Sequence, residues 1–515
     1  EISLGLVGSE MCIRDRYENQ ELPVVASDVD CILLTHAHID HSGLIPLMYV
    51  NGFRGQVYST SATAQLCEIM LRDSAHIQMF EAEWRNRKAA RSGGKLKEFV
   101  PLYDMDAAVN VCKQFVGCEY DRVYDIAEGI KIRFTDVGHL LGSASIEVWA
   151  TEKTENGDVT EKIVFSGDIG NINKPIIKDP KHVRDADYVV MESTYGNRSH
   201  GGTPNYVEDL TNIFKRTFER GGNVVIPSFA VGRTQELLYI IRKIKEDNLV
   251  GRDFDVYMDS PLAIEATNIF IKNVESCFDD EAVELVRKGI NPLSFPGLKY
   301  ATTGDESKQI NFDPNPKVII SSSGMCEAGR IRHHLKHNLW RPECTIVFVG
   351  YQAVGTTGRI IVDGAEEIKL FGEPIQIKAE IVQLKGSSGH ADKDGLLCWI
   401  NAFDRKPKKV FVVHGEDSVC DEFTECLKEE YGYDAMAPYT GGSYDLIADR
   451  VISEGVKERK TRRTTSTQRG KTVFDRLVAA GKRLMTVITH NEGGTNKDLA
   501  KFTDQINALC DKWDR

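Results

Sequence analysis

The sequence predicts an α/β protein in which a doubly wound parallel unit is inserted into a sheet-rich domain. Short apolar runs lie close together over residues 130–191, with glycine, asparagine and aspartate between them, as is typical of a β-meander. After Gly196, short apolar runs alternate with amphipathic stretches of helical length, which indicates a parallel sheet covered on both faces. Strand patterns return near residue 366, so the second unit interrupts the first.

The sheet-rich unit comprises the segments before and after the inserted unit. Its first part reads as strand Val29–Leu34, helix Ser42–Val50, strand Gln56–Thr60 and helix Thr63–Met79. The meander comprises the strands Ile130–Asp136, Ile146–Thr151, Lys162–Ser166 and Asp187–Met191. The returning part comprises the strands Glu367–Leu370, Ile375–Val382 and Lys409–Val413 and the helices Lys393–Phe403 and Ser418–Tyr431.

The inserted unit supplies the regular alternation. Its helices are Pro204–Arg220, Thr234–Glu246, Pro261–Asn273 and Arg330–Leu339, and its strands are Asn223–Pro227, Asp255–Met258, Val318–Ser321 and Thr345–Val349. The predicted domains are therefore 17–195 with 366–448, the insert 196–365, and a basic linker with a helical C-terminal extension over 449–515.

Composition sets limits on the class of protein. A chain of 515 residues with 41% hydrophobic and 27% charged residues is too long for one ordinary core and too apolar for general disorder. Its apolar runs fall far short of the ~20 residues of a membrane-spanning helix. The 12 cysteines include no CxxC pair, which favours reduced thiols and a cytoplasmic location. The net charge of −12 argues against indiscriminate nucleic-acid binding but leaves a locally basic cleft open.

The first sixteen residues, EISLGLVGSEMCIRDR, match neither a strand pattern nor a signal peptide. They look like translated adaptor sequence, so we exclude 1–16 from the fold prediction. A frayed natural N-terminus is the alternative.

The densest functional signal is the run Thr35-His36-Ala37-His38-Ile39-Asp40-His41, between an apolar strand and a helix start. His36 and His38 alternate by two and can face one ion, while Asp40 and His41 turn towards a second. Imidazole nitrogen and carboxylate oxygen are ligands that zinc accepts. The run therefore predicts a metal site.

Three further polar residues each follow an apolar strand: His139 in FTDVGHLLGSAS, Asp168 in IVFSGDIG and His414 in VFVVHGE. Each alone is more typical of an ordinary loop. Glycines beside the first two allow the backbone to pass close to a crowded site. The helix sequence HHLKH over 333–337 is more typical of a polar helix surface, and we assign no metal there.

In the order HxHxDH, GH and SGD the chain resembles the metallo-β-lactamase fold. Further motifs resemble its β-CASP branch: VVMESTYG, IPSFAVGRTQELL, DSPLAIEAT, SSSGMCEAGRIRHHLKH, GYQAVGTTGR, GSSGHAD and VVHGE. The resemblance runs from about residue 17 to 447. It implies a metallo-β-lactamase αββα sandwich with an inserted doubly wound β-CASP domain, acting on RNA.

The resemblance also implies a zinc-dependent ribonuclease with two Zn²⁺ ions. One ion would be held by His36, His38 and His139, a second by Asp40, His41 and His414, with Asp168 bridging. A hydroxide bridging the two ions would attack the phosphodiester and leave 5′-phosphate and 3′-hydroxyl ends. The implied catalytic residues are Asp40, Asp168, Glu192 and His390.

Within that set, His390 would be the general acid and Glu192 would orient it, because a neighbouring carboxylate fixes the imidazole tautomer and raises its pKa. His414 at the last motif is the residue type that RNA-processing members carry. Residues in or near glycine-bearing turns of the insert are the predicted substrate-binding group, although some of its cations could instead pair with acids of the insert: Ser228, Arg233, Ser323, Arg330, Lys336 and Arg359.

One departure from the family pattern precedes the HxHxDH run. Family members carry two strands and an Asp-containing loop there, and only Tyr17–Pro23 stands in that place. We expect the chain as written to be poorly active or unstable beside a parent that has this loop.

Two other functions stay open at this point. They are a catalytically silent RNA-binding subunit of the same family and a small-molecule metallo-hydrolase; the full set of ligand residues disfavours the first, and the insert disfavours the second. The predicted partners are an RNA substrate and a second copy in a homodimer, with no membrane. Internal cutting and cutting from an end are equally compatible with the sequence.

Overall fold

The computed structural model of the protein describes residues 22, 24–91, 99–155, 157–199, 205–384, 388–456, 472–491 and 496–513. Segment 1–16, most of 17–23 and the basic stretch 457–471 lie outside the described residues, so the predictions made for them stay predictions. No helix in the described ranges is both long enough and apolar enough to cross a bilayer.

The N-terminal part forms a small parallel sheet and the start of a larger one. Its elements are β1 (Cys31–Leu33), α1 (Ile39–Ser42), α2 (Ile45–Val50), β2 (Gln56–Thr60), α3 (Ser61–Arg91), α4 (Met105–Cys112), β3 (Phe115–Cys118), β4 (Val123–Ala127), β5 (Ile130–Asp136), β6 (Ala144–Thr154), β7 (Gly157–Phe165) and β8 (Tyr188–Met191). The small sheet has the order β1-β2-β3. Leu66 and Leu71 of α3 and Val111 of α4 are buried against it.

The insert follows β8 and forms a separate parallel sheet. Its elements are α5 (Tyr206–Glu219), β9 (Val224–Pro227), α6 (Arg233–Glu246), β10 (Asp255–Asp259), α7 (Pro261–Lys272), α8 (Val274–Cys277), α9 (Asp280–Arg287), β11 (Leu298–Tyr300), α10 (Gly304–Phe312), β12 (Lys317–Ser321), α11 (Ile331–Asn338), β13 (Thr345–Phe348), α12 (Thr357–Val362), β14 (Glu367–Leu370), β15 (Glu373–Gln376) and β16 (Glu380–Gln383). The six-stranded order is β11-β10-β12-β9-β13-β16, and every pairing in it is parallel.

Both faces of the insert's sheet are covered by helices. Val224 and Ile226 pack in one core with Phe214 of α5, whereas Val225, the residue between them, packs in another core with Leu335 of α11. Alternate residues of one strand point to opposite faces, so a strand buried on both sides needs an unbroken apolar sequence. This arrangement confirms the predicted α/β class with an inserted doubly wound unit.

The chain then returns to the large sheet and ends in two helices. These elements are α13 (Lys393–Ile400), β17 (Lys409–Val412), α14 (Asp417–Glu429), β18 (Ala435–Met436), β19 (Ser443–Asp445), β20 (Arg450–Ser453), α15 (Thr472–His490) and α16 (Asn496–Trp513). The seven-stranded order is β18-β17-β8-β7-β6-β5-β4. Val189 and Met191 of β8 pack in one core with Leu396 and Leu427 of α13 and α14.

Strand direction in the large sheet determines where the polar residues meet. β5 and β7 both pair antiparallel with β6, and β7, β8 and β17 pair parallel with one another. These four strands therefore run the same way, and their carboxyl ends lie at one edge of the sheet. The residues that follow them are His139, Asp168, Glu192 and His414.

The predicted single strand Ile375–Val382 is wrong. Residues 373–376 form β15, which pairs antiparallel with β14, and 380–383 form β16, which pairs parallel with β13 of the insert. The amides of Lys378 and Ala379 donate to the Leu339 carbonyl, which divides the apolar run between two sheets. The insert's sheet thus extends to Gln383, past the predicted end of the insert at residue 365. The domain boundaries themselves stay a prediction.

Candidate metal centre

The HxHxDH run forms a tight loop between β1 and α1. The Ser42 hydroxyl donates to the Ala37 carbonyl at 2.9 Å and to the His38 carbonyl at 3.0 Å. Because these bonds fold the loop back on itself, His36 and His38 project from the loop while Asp40 and His41 project from the first turn of the helix.

A first group of potential ligands comprises His36, His38, His139 and Asp168, whose ligand atoms all lie within 4.8 Å of one another. His38 Nδ1 is 3.1 Å from His36 Nε2 and 3.2 Å from His139 Nε2. Asp168 Oδ2 is 3.3 Å from His36 Nε2. Three nitrogens and one carboxylate oxygen therefore face one point.

A second group comprises Asp40, His41 and His414. His41 Nε2 is 3.1 Å from His414 Nε2, and His414 Nε2 is 3.8 Å from Asp40 Oδ2. The other oxygen of Asp168, Oδ1, is 3.3 Å from His41 Nε2. One carboxylate thus faces both groups, one oxygen towards each.

Close glycine packing brings these loops together. Gly138 has a φ of 64°, in the left-handed region, and a Cβ on Gly170 would lie 2.0 Å from the Gly138 carbonyl oxygen. No residue with a side chain fits there. His414 also has a positive φ, 51°, which is uncommon for a non-glycine residue.

The residues present fit two divalent cations. Three pairs of imidazole nitrogens face each other across hydrogen-bond distances, and the fully buried Asp168 Oδ1 accepts no hydrogen bond. A buried carboxylate oxygen needs a donor or a cation, and clustered imidazoles need a shared electrophile. Nitrogen and oxygen ligands in this number suit zinc.

The protonation of the first group favours metal binding. Burial lowers the pKa of His38 to about 3, with the neighbouring His36 adding to the effect, and burial also lowers the pKa of His36 and His139. These rings are therefore neutral at pH 7, the form that binds a metal ion. Burial alone would raise the pKa of Asp168, but His41, His414 and His36 outweigh it and keep the carboxyl ionised.

The histidines of the second group favour their protonated forms when no metal is bound. Burial lowers the pKa of His414, but Asp168 and Asp40 outweigh it and raise the pKa to about 10. The same balance of burial against Asp168 raises the pKa of His41. Metal binding at this group must therefore release protons.

Glu192 and His390 form a pair beside the centre. His390 Nδ1 is 3.1 Å from Glu192 Oε2, and His390 Nε2 is 3.9 Å from Asp168 Oδ2. Burial would lower the pKa of His390, but the carboxylates of Glu192 and Asp168 raise it above its ordinary value. Glu192 also accepts from the amides of Ile169 and Thr194, which fix its position.

A buried ion pair joins the insert to this centre. Lys174 Nζ donates to the His139 carbonyl at 3.0 Å and lies 3.2 Å from Glu236 of α6, which also pairs with Arg233. Sequence reasoning missed both Lys174 and Glu236. The GRTQE spacing, which puts Arg233 and Glu236 three residues apart on a helix, was the available signal.

The predicted substrate-binding cations each have an acidic partner. Arg233 pairs with Glu236, Arg330 with Asp259 at 2.6 Å, Lys336 with Glu373 at 2.8 Å and Arg359 with Asp363 at 2.8 Å. The two predicted serines bond locally. Ser228 lies 3.0 Å from the Thr234 hydroxyl, and Ser323 donates to the Ala328 carbonyl at 3.3 Å.

The HHLKH helix takes no part in the metal-capable groups found among the described residues. His334 is fully buried, 2.6 Å from Asp259, and the ring of His333 stacks on Phe371. Residues 333–337 therefore serve packing within the insert.

Two family models match the chain. The Beta-Casp domain matches residues 234–361, and the Zn-dependent metallo-hydrolase RNA specificity domain matches residues 374–438. The first lies within the inserted unit, and the second spans the return to the large sheet.

Several characterised proteins are similar over most of the chain. Ribonuclease TTHA0252 of Thermus thermophilus is 34% identical over 390 residues, which cover 76% of this chain and 82% of that protein. RNase J-like protein of Methanocaldococcus jannaschii is 31% identical over 401 residues, 77% of this chain and 84% of its own length. Transcription termination factor FttA of Methanosarcina mazei is 32% identical over 421 residues, 80% of this chain but 62% of its own length. The chain thus spans about three fifths of that relative.

Proposed function

Because the chain belongs to the β-CASP family of RNA-processing nucleases with the metallo-β-lactamase fold, we propose that it is a zinc-dependent ribonuclease with two zinc ions. It hydrolyses RNA phosphodiester bonds and leaves 5′-phosphate and 3′-hydroxyl ends. The observation that carries this proposal is the position of Asp168, whose two oxygens face the two ligand groups while His390 stands 3.9 Å away.

The two ligand groups hold the proposed ions. His36, His38 and His139 form one set, and Asp40, His41 and His414 form the other, with Asp168 shared. Zinc bound there would supply a water nucleophile active at neutral pH and offset negative charge on the phosphodiester. Burial keeps the imidazoles of the first set neutral, whereas metal binding at the second set releases protons.

The pair Glu192 and His390 performs the proton transfer. Nδ1 of His390 donates to Glu192, and in the protonated ring Nε2 carries a second proton, which points towards the centre. When the bond between phosphorus and the 3′-oxygen breaks, Nε2 donates this proton to the leaving oxygen. Glu192 stabilises the protonated imidazole beforehand, and this keeps the acid available at neutral pH.

The activity test uses the metal-free chain reloaded with zinc. A closed circular RNA and a linear RNA with a 5′-monophosphate are offered in parallel, and metal content is measured on the same sample. We expect cleavage of the linear RNA, with loss on chelation and recovery on adding zinc. Cutting of the circle shows internal cleavage, because that substrate has no ends.

Two results contradict the proposal. Zinc-loaded protein that binds two ions but cleaves neither RNA is not a ribonuclease, and retained RNA binding in that case supports a silent subunit. Products that carry a 3′-phosphate contradict the assigned end chemistry. The cytoplasmic location and the homodimer stay predictions, and light scattering on the purified chain tests the dimer.

A further inference from the structure

A turn beside the acid pair carries two residues with no role so far. Tyr195 and Arg198 follow Glu192 in the sequence ESTYGNR. The centroid of the Tyr195 ring lies 6.2 Å from that of His390, at 68° between planes, an edge-to-face arrangement. The Arg198 guanidinium lies over the Tyr195 ring, 4.7 Å from its centroid. Tyr195 and Arg198 therefore form a stack of side chains that begins at His390.

The turn is fastened to the segment that carries the acid. The Lys393 amide donates to the Arg198 carbonyl at 3.0 Å, and the Ser199 hydroxyl donates to Asp394 at 2.7 Å. Lys393 and Asp394 open α13, directly after His390. The backbone of Arg198 is therefore tied to the start of α13, and its exposed side chain lies over the Tyr195 ring.

Arg198 differs from the arginines that the sequence predicts to bind substrate. Arg233, Arg330 and Arg359 each pair with a carboxylate. In the described part of the chain, no carboxylate lies within ion-pair distance of the Arg198 guanidinium, which stacks on the Tyr195 ring. Stacking leaves the edge N–H groups of the guanidinium free to bind an anion.

We propose that Tyr195 and Arg198 form a binding site for the RNA strand on the 5′ side of the cut, in which Arg198 binds the phosphate preceding the nucleotide that retains the 3′-hydroxyl. This inference rests on the proposed function. The acid protonates the leaving 3′-oxygen, so groups adjoining it face the upstream nucleotide. A guanidinium held there supplies charge-assisted hydrogen bonds to a phosphate.

Equilibrium binding of the two reaction products tests the site without requiring turnover. The probes are a short RNA ending in a 3′-hydroxyl, which is the upstream product, and a short RNA beginning with a 5′-phosphate, which is the downstream product. Binding is measured by fluorescence anisotropy on the full zinc-loaded chain. We expect Arg198→Ala to weaken binding of the upstream product about 10- to 100-fold, the range for a charge-assisted hydrogen bond, and to leave the downstream product unchanged.

Arg122→Ala is the control for loss of an exposed arginine that lies over a tyrosine ring. The Arg122 guanidinium is 5.3 Å from the Tyr124 ring centroid and pairs with Glu119 at 3.3 Å, and it lies beside β4, the far edge strand of the sheet. We expect no change in binding of either product. Arg198→Lys keeps the charge but loses the planar stack, so binding should be only partly restored.

Neutralising single phosphates locates the contact. In wild-type protein, a methylphosphonate at the last internucleotide linkage of the upstream RNA should weaken binding as much as Arg198→Ala does. In Arg198→Ala the same modification should have no further effect. Equal losses for both products, or losses that simply multiply, would overturn the proposal.

Failure of the two proposals can be told apart. Wild-type protein that binds and cleaves RNA while Arg198→Ala behaves like Arg122→Ala overturns only the upstream site. Wild-type protein that binds neither product and cleaves no RNA overturns the proposed function itself. Unchanged zinc content in Arg198→Ala shows that a loss of binding does not come from a damaged metal centre.

Discussion

The charged residues of the centre and those of the insert differ in whether the protein itself supplies their partners. At the centre, five histidines and two aspartates converge, and the buried Asp168 Oδ1 accepts no hydrogen bond from the protein. In the insert, each predicted substrate-binding cation has a carboxylate partner of its own. Unsatisfied polar atoms in a buried site indicate a missing ligand, whereas satisfied ones indicate structure. Whether the protein satisfies a polar atom therefore distinguishes functional residues from packing residues better than residue type does.

Asp168→Ala should have the largest effect, because this carboxylate serves both ligand groups. We expect loss of bound zinc and a fall in cleavage of at least roughly 1,000-fold, since several kcal/mol of charge stabilisation are lost with the ions. Metal analysis and single-turnover cleavage measure the two effects. Asp185→Ala, which removes a half-exposed partner of Lys162, is the control that should keep both. Zinc retained by Asp168→Ala would break the assignment of a shared ligand.

His390→Ala should keep zinc and lose turnover by about 100- to 10,000-fold, the usual contribution of a general acid. Glu192→Gln removes the charge that raises the pKa of His390. The rate falls as pH rises through that pKa, so we expect the fall to shift to lower pH in the variant. A pH–rate profile with metal analysis measures both effects, and the exposed His76→Ala serves as control. An unshifted profile would remove Glu192 from this role.

Glu236→Gln tests the ion pair between the insert and the centre. The change leaves Lys174 and Arg233, which are 12% and 16% exposed, without their shared carboxylate, which should cost up to about 3–5 kcal/mol in unfolding free energy. Lys174→Met should cost less, because Glu236 then keeps Arg233. Urea unfolding measures both, with the exposed Glu284→Gln as control. Equal costs for all three variants would contradict a buried pair.

Asp136 contrasts with Asp168, because no imidazole surrounds it. Burial raises the pKa of Asp136 to about 7, against the pull of the Gly138 amide and nearby lysines. The fold therefore favours the protonated form, so the contribution of Asp136 to stability is full below about pH 4 and is lost as pH rises to about 7. Asp136→Asn should abolish this fall and gain up to roughly 4 kcal/mol at pH 8, from three pKa units at 1.36 kcal/mol each. Parallel pH–stability curves for the two proteins would contradict it.

The smallest effects are expected at Arg359, which the sequence predicts to bind substrate and the structure pairs with Asp363. An exposed pair is weak enough to open for a phosphate. We expect Arg359→Ala to weaken RNA binding about two- to fivefold and Asp363→Asn to strengthen it similarly, by releasing the arginine. Anisotropy with a single-stranded RNA measures both. If neither variant changes the affinity, Arg359 belongs to the packing of the insert.

The sequence was most informative about which side chains meet in the fold where those residues lie close together in the chain. The HxHxDH run, and single polar residues after apolar strands such as Asp168, predicted which side chains the structure brings together. Parallel strands explain this success, since their carboxyl ends meet at one edge. The reasoning failed at Ile375–Val382, because one apolar run serves two sheets and only tertiary pairing divides it.

The sequence alone also could not predict which acidic residues pair with cations that have no such acid nearby in the chain. Arg330 meets Asp259 from a different element, and Lys336 of α11 meets Glu373 of β15. Such pairs depend on which strands become neighbours, which local spacing does not reveal. Arg233 and Arg359 are different, because their partners lie three and four residues away on the same helix. Those two pairs were readable from helical spacing alone.

The insert leaves the large sheet between β8 and β17, and this sets the order in which a growing chain completes its centre. His36, His38, His139 and Asp168 all precede the insert, so the first ligand group is synthesised as a block. His390 and His414 emerge only after more than a third of the chain has followed. Under the proposed function, a partly made chain would therefore carry its whole first ligand set long before the proposed acid, and the centre is complete only once the residues after β17 have been made.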